Sequence, residues 1–422
     1  MRAYILPSRR KISPFGDPVS ESMIGNRTLA DHQKRVLERA GFEAVRIGGP
    51  EEIEESRFLL TYDDVFFTRR VMDDFAKQAQ GAGTSIRCGL PADSLLVKRT
   101  RALQDLEEQE GLVVYRLAFI QAEKPPKSDA ELAAALKAAR PVRARFKEKV
   151  MRMPAPPRIS GFARYDHPVT SSVVMHIRHW VHLLWANQLS VQIRWVETVL
   201  DHKLWSVWKL LQSGVLSLFS GRWSLAGYLW TLMGRANRMG KNCFVHPTAR
   251  VEGCLFGDNV KVGAYALVRG AVLGDNVTIE DRANVYFSVV GSDCFISKNS
   301  TMVFCAGYPG SDLCTNGIQA CLFGRGCALT SFVRVIDIKA QGEIKVMFEG
   351  RLESVGTNLL GACFGHNSFA GLDVAIQSGR EIPNQAVLVK PPGEIFHRIP
   401  ADLPPGVPAW VEDGAAVTKK KT

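Results

Sequence analysis

Asp63 and Asp64 follow the apolar run RFLLTY and precede the second apolar stretch VFF. In a parallel sheet, the carboxyl end of a strand is where ligands sit, and that is where this carboxylate pair falls. The same pair also reads as a polar strand end that caps the next helix. Arg9, Arg10 and Lys11 lie in the loop after the first apolar run, MRAYILP. They could attract phosphate, as bulky charges. His176, His179 and His182 recur at i, i+3 and i+6. That spacing could array imidazoles for a metal, but the third drifts off the helical face and no Cys or carboxylate lies close in sequence. Further along, His246 begins a repetitive region and His366 sits in CFGHNSF, both with side chains that titrate near neutral pH. Arg325, Arg334 and Lys339 could meet the phosphates of a cofactor, although solvated charge is the plainer reading.

The elements that must position these groups differ between the two halves. Up to about residue 120, apolar strands alternate with helical stretches: MRAYILP, the helix in RTLADHQKRVLERAGF, a second strand, then RFLLTYDD and another helix. This order predicts a parallel α/β sheet. Beyond residue 240 a different period takes over. Phe256-Gly257-Asp258-Asn259 returns as Leu273-Gly274-Asp275-Asn276 and as Val290-Gly291-Ser292-Asp293, a spacing of 17 residues. Apolar positions fall into columns: Val245, Val262, Ile279, Ile296; Val251, Val268, Val285, Met302; Phe256, Leu273, Val290. Steps of six, six and five residues predict three short strands per coil, with Gly, Asp and Asn at the turns. One such coil cannot bury its apolar face, so several must stack.

Composition bounds the class. A chain of 422 residues predicts two or three domains, and a formal net charge of +11 favours anionic partners. No nucleic-acid-binding signature stands out. Nine cysteines, eight of them after residue 240, read as small buried residues rather than a disulfide framework, which suits the cytoplasm. The first residues lack the apolar core of a signal peptide, and no run of 18 apolar residues predicts a membrane span.

The columns over 243–302 resemble the hexapeptide-repeat, left-handed parallel β-helix family of acyltransferases. The resemblance fades over 303–354, where AGYPGSDLCTNG reads as a protruding loop. It resumes at Phe364, Ala370, Ile376 and Ile382. It implies a homotrimer with acyl-CoA or acyl carrier protein in an outer groove, and a histidine as general base on an amine or hydroxyl. Carried onto this chain, that base is His366, with Asn367 orienting the ring or the acceptor, and Arg325, Arg334 and Lys339 near the cofactor phosphates. His246 fits an end cap better.

The N-terminal order resembles the sugar-phosphate nucleotidyltransferases, some of which carry a left-handed β-helix at the C-terminus. The resemblance implies that Asp63 helps hold Mg²⁺ and that Arg9, Arg10, Lys11, Asp63 and Asp64 meet a sugar nucleotide. The departure is the loop Pro7-Ser8-Arg9-Arg10-Lys11-Ile12-Ser13-Pro14, which lacks the family's glycines. Glycines let backbone N–H groups wrap phosphate closely, so nucleotidyl transfer is expected to be lost or altered.

Residues 121–160 read as a basic helical connector, with Ser128 and Glu131 as a capping box and Pro141 ending or kinking the helix. Residues 176–240 hold seven of the eight tryptophans: Trp180, Trp185, Trp195, Trp205, Trp208, Trp223 and Trp230. Over 201–241, Lys203, Lys209, Arg222, Arg235, Arg238 and Lys241 face Asp201 alone. This stretch fits either a helix in a membrane interface or helices packed between domains or subunits. The chain therefore divides into an α/β domain (1–120), a helical connector (121–240), a left-handed β-helix (241–400) and a tail (401–422). The expected function is acyl transfer to an amino sugar, with a sugar nucleotide held by the N-terminal domain. Its rivals are an active nucleotidyltransferase with a regulatory β-helix, and a non-catalytic scaffold docking on membrane or partner.

Overall fold

The structure, a computed structural model, describes residues 1–154, 157–161, 164–219, 228, 231–232 and 234–418. Trp223, Trp230 and Arg222 lie outside the described residues.

The N-terminal half builds strands β1 (Arg2–Leu6), β2 (Glu43–Arg46), β3 (Arg57–Tyr62), β4 (Val65–Phe67), β5 (Ile86–Pro91), β6 (Glu107–Gln109), β7 (Leu112–Gln121) and β8 (Arg140–Arg143). The sheet order is β2-β1-β3-β7-β5-β8, with β6 on β7. β1 runs parallel to β2 and β3, whereas β7 is antiparallel to β3 and β5, so the sheet is mixed rather than wholly parallel. Strand alternation decides the two faces. Ala3, Ile5 and Leu59 point to one core beneath α1 (Leu29–Arg39) and α2 (Arg69–Gly81); Tyr4, Leu6, Phe58 and Leu60 point to the other.

After α3 (Leu95–Thr100), helix α4 (Asp129–Ala138) is capped by the Ser128 hydroxyl as its sequence predicts. Pro141 does not end that helix but stands inside β8, paired with Arg87. Residues 140–143 thus belong to the N-terminal sheet rather than to a connector. A hairpin of β9 (Lys149–Pro154) and β10 (Arg164–Val169), with the short α5 (Pro157–Ser160) between them, and β11 (Val174–His176) paired with β4 complete this half. Two helices follow, α6 (Trp180–Asp201) and α7 (Lys203–Phe219).

From residue 244 onward, short strands stack in three parallel ladders of eight, five and seven strands, a parallel β-helix. The apolar columns pair in the register the sequence predicts: Val245 with Val262, Val262 with Ile279, Val251 with Val268, Phe256 with Leu273. The turn asparagines take positive φ, 58° at Asn259 and 57° at Asn276. They form a ladder, the Asn276 amide donating to Asp293 Oδ1 at 2.8 Å. These side chains are turn formers, not reactive groups.

The segment read as a protruding loop after Met302 is part of the stack. Met302 pairs with Ile318 and Gly307 with Phe323, one residue short of the 17-residue step, which is why the repeat fades from the sequence. The real interruption comes later. Leu322 pairs with Cys363, 41 positions on, and the excess forms an arm with the hairpin Lys345–Phe348 and Arg351–Ser354.

The two halves share a core. Trp180, Val181 and Leu184 on α6 cluster with Val272, Val289, Ala306 and Leu322 on the outside of the β-helix. Trp180 is wholly buried, and Trp185 and Trp195 pack against the same cluster. The first part of the Trp-rich segment is therefore an interdomain helix.

Candidate functional site

The loop after β1 carries the first site residues. Ser8 N–H donates to Asp63 Oδ1 at 2.7 Å, which ties the ends of β1 and β3 together. Arg9 adopts a left-handed φ of 53°, and Arg9 and Lys11 are exposed. Arg10 turns inward, and its Nε is buried with no hydrogen-bond partner. Burial and the neighbouring Arg178 lower the Arg10 pKa.

Asp64 is fully buried at the same strand end. The Arg116 guanidinium contacts its Oδ2 and lies over the Tyr62 ring at 4.6 Å, while Oδ1 has no partner. Burial raises the Asp64 pKa, against the pull of Arg116 and Arg10. Arg178, at the mouth of α6, pairs with Asp105 and with Glu349, yet its Nε is also buried and unpartnered. Glu349 sits at the tip of the inserted arm. The arm thus folds back over the carboxyl ends of the N-terminal strands, and its backbone oxygen at Met347 lies 3.1 Å from His179 Nε2.

Asp63 and Asp64 do stand together at the strand end, but with different fates. Asp64 is neutralised by Arg116. Asp63 keeps Oδ2 without a protein partner among the described residues, so it suits a cation held mainly by a ligand's phosphates.

The three spaced histidines are structural. His176 Nε2 accepts from Arg116 N–H at 3.1 Å, His179 caps α6, and His182 reaches Ala102 O at 2.8 Å. Burial drives His182 down to about 3 and His176 well below its ordinary value. Among the described residues no group of three or more His, Cys, Asp or Glu gathers to hold a metal.

The chain matches no protein-family model and no curated protein.

His366 lies on the β-helix, 9 % exposed, and faces the loop of the N-terminal half rather than an open groove. Its Nδ1 accepts the Arg325 backbone N–H at 2.8 Å, and an amide can only donate. The proton therefore sits on Nε2, which donates to Asp17 Oδ2 at 3.0 Å. Phe15 stacks on the ring at 4.8 Å, and Tyr308 stacks on Phe15 at 5.2 Å. With Nδ1 accepting, the ring is neutral in this arrangement; burial lowers the His366 pKa, opposed by Asp17. Both nitrogens are thus engaged in this arrangement, and neither is open to take a proton from an acceptor.

The proposed cofactor cations do not converge on one ligand. Arg325 NH1 donates to Asp17 at 2.8 Å, Arg334 pairs with Asp373, and Lys339 Nζ donates to Glu343 O at 3.0 Å. Asn367 is an exposed turn residue with φ 52°; Asn384 Oδ1 instead receives the His366 backbone N–H at 2.7 Å. Asn384 also donates to Phe15 O at 2.7 Å, and Ser13 bonds Glu381. The loop 8–17 thus straps the N-terminal sheet to the β-helix.

Asp17, Arg116, Arg178 and Glu349 escape a reading of the sequence. Each is an ordinary charged residue whose partner lies 50 to 350 positions away. The Arg9-Arg10-Lys11 run, by contrast, stands out in the sequence by its charge.

Proposed function

We propose that the protein binds a sugar nucleotide or sugar phosphate at the carboxyl ends of β1 and β3, its phosphates between Arg10 and Arg178. The observation that carries this reading is that two of the four guanidinium Nε atoms buried without a hydrogen-bond partner among the described residues, those of Arg10 and Arg178, lie near one another beside the end of β3. A buried N–H donor without an acceptor is costly, and an anionic ligand drawn to the two guanidinium groups would offset that cost. Glu349 occupies part of this place from the arm, as an internal carboxylate that a phosphate could displace. Arg9 and Lys11 would add attraction from the exposed side of the loop, and Asp63 would carry Mg²⁺ together with the phosphates. Thermal denaturation against nucleoside diphosphate sugars and sugar 1-phosphates tests this reading: a ligand that binds the native state raises the transition, and none doing so removes it.

The second reading is acyl transfer on a β-helix of the left-handed, trimeric acyltransferase type, with acyl-CoA or acyl carrier protein as donor. The stacked coils favour it. His366 could serve as base there only after the 8–17 strap leaves its ring. Assays of acyl transfer to amino-sugar nucleotides, with and without Asp17→Ala to loosen the strap, decide this reading; no transfer in either form ends it.

A further inference from the structure

Helix α7 is built inside out. Leu204 (89 % exposed), Trp208 (63 %), Leu211 (62 %), Val215 (54 %) and Phe219 (87 %) recur every three or four residues, with Val207 beside them, and so form one stripe that faces outward. On the opposite side Ser206, Ser213 and Ser217 are buried. The Ser206 hydroxyl donates to His202 O and Val199 O, at 3.0 and 3.1 Å. Beside the inner side, Tyr228 Oη donates to Leu210 O at 3.3 Å, and its ring stands close to Gly214. A helix exposed to water buries its large apolar side and shows its serines. The reverse order, small polar residues between helices and large apolar ones outside, is the packing of helices in lipid.

Charge selects the surface that covers this stripe. From His202 to Lys241 there is no Asp or Glu in forty residues, against Lys203, Lys209, Arg222, Arg235, Arg238 and Lys241. Arg235, Arg238 and Lys241 are exposed. A second copy of this chain would set one acid-free basic segment against another, whereas anionic lipid headgroups would complement its charge. No helix among the described residues is long and apolar enough to cross a membrane, and α7, 17 residues, is about 25 Å long. Its stripe suits a helix lying in the plane of the headgroups, with Trp208 at the depth where tryptophan is favoured.

We propose that α7 seats the protein on an anionic bilayer surface, with the apolar stripe in the acyl boundary and the flanking cations among the headgroups. The test is sedimentation of the full chain with phosphatidylcholine vesicles, with and without phosphatidylglycerol, comparing the wild type with Trp208→Ser/Leu211→Ser. These side chains are exposed, so the variant should keep the wild-type circular dichroism and melting profile. The expected result is binding to the phosphatidylglycerol vesicles only, weakened by salt and reduced roughly tenfold or more in the variant. Absence of wild-type binding, equal binding by the variant, or a wild-type dimer that the variant breaks without any vesicle binding would overturn the proposal, the last by assigning the stripe to a second copy.

Discussion

His366 on the β-helix donates its Nε2 proton to Asp17 of the N-terminal loop across 3.0 Å, while its Nδ1 accepts the Arg325 amide. A neutral imidazole with a fixed tautomer thus acts as a coupling between the two halves. Replacing Asp17 or His366 by Ala should destabilise the protein by about 1–3 kcal/mol, because each leaves a largely buried polar partner unpaired. A double-mutant cycle in denaturant should show coupling between them. Additive effects would mean that the bond does not hold the halves together.

Five of the six buried histidines set the acid limit. His32 and His167 are pushed down to about 4, His182 to about 3, and His176 and His366 are also lowered, burial being the first cause in each. Since their folded pKa values lie below the ordinary 6.5, the unfolded chain binds the extra protons. Stability should be full above pH 6.5 and fall as pH drops toward 4, by up to about 1.4 kcal/mol per pH unit for each titrating group. Denaturant unfolding across this range checks the slope; a flat profile would contradict the burial of these rings as neutral groups.

The β-helix offers a paired test of close backbone approach. A Cβ on Gly291 would stand 2.5 Å from Pro309 N and Tyr308 C, which are backbone atoms that cannot turn aside. Nothing lies within 4 Å of a Cβ on Gly307, one coil on. Gly291→Ala should cost about 1–3 kcal/mol and Gly307→Ala little or nothing, read as the difference in chemical denaturation midpoints. Equal effects would place the coils further apart than described.

Glu349→Gln removes the carboxylate that the arm presents to Arg178 at 3.4 Å. If a ligand phosphate takes this place, the variant should bind a sugar nucleotide several-fold more tightly than the wild type, with unchanged stability within about 0.5 kcal/mol. Weaker binding would show that Glu349 belongs to the ligand's own contacts.

The sequence discloses what is periodic and local. The columns through Val262, Val268 and Leu273 specify their register because a side chain one place out would face the wrong side. Where the coil shortens by one residue after Met302 the comb loses step, and the fold continues unseen. Ser128 could be read as a helix cap because its partner, Glu131 N–H, is three residues on. His366 could not be read as a docking residue, because Asp17 lies 349 positions away. The tryptophans divide for a similar reason. Trp180 and Trp208 carry the same apolar signal, but only tertiary contact decides that the first is buried and the second is in the open.

The account rests most on the strand-end anion site, and calorimetric titration tests it directly. Wild-type protein and Arg10→Gln would each be titrated with UDP-, GDP- and dTDP-sugars and sugar 1-phosphates, with and without Mg²⁺. The expected result is saturable binding of at least one ligand by the wild type, weakened about tenfold or more in Arg10→Gln, the loss of a charge-assisted contact. No binding by the wild type, or the same affinity in Arg10→Gln, would contradict it.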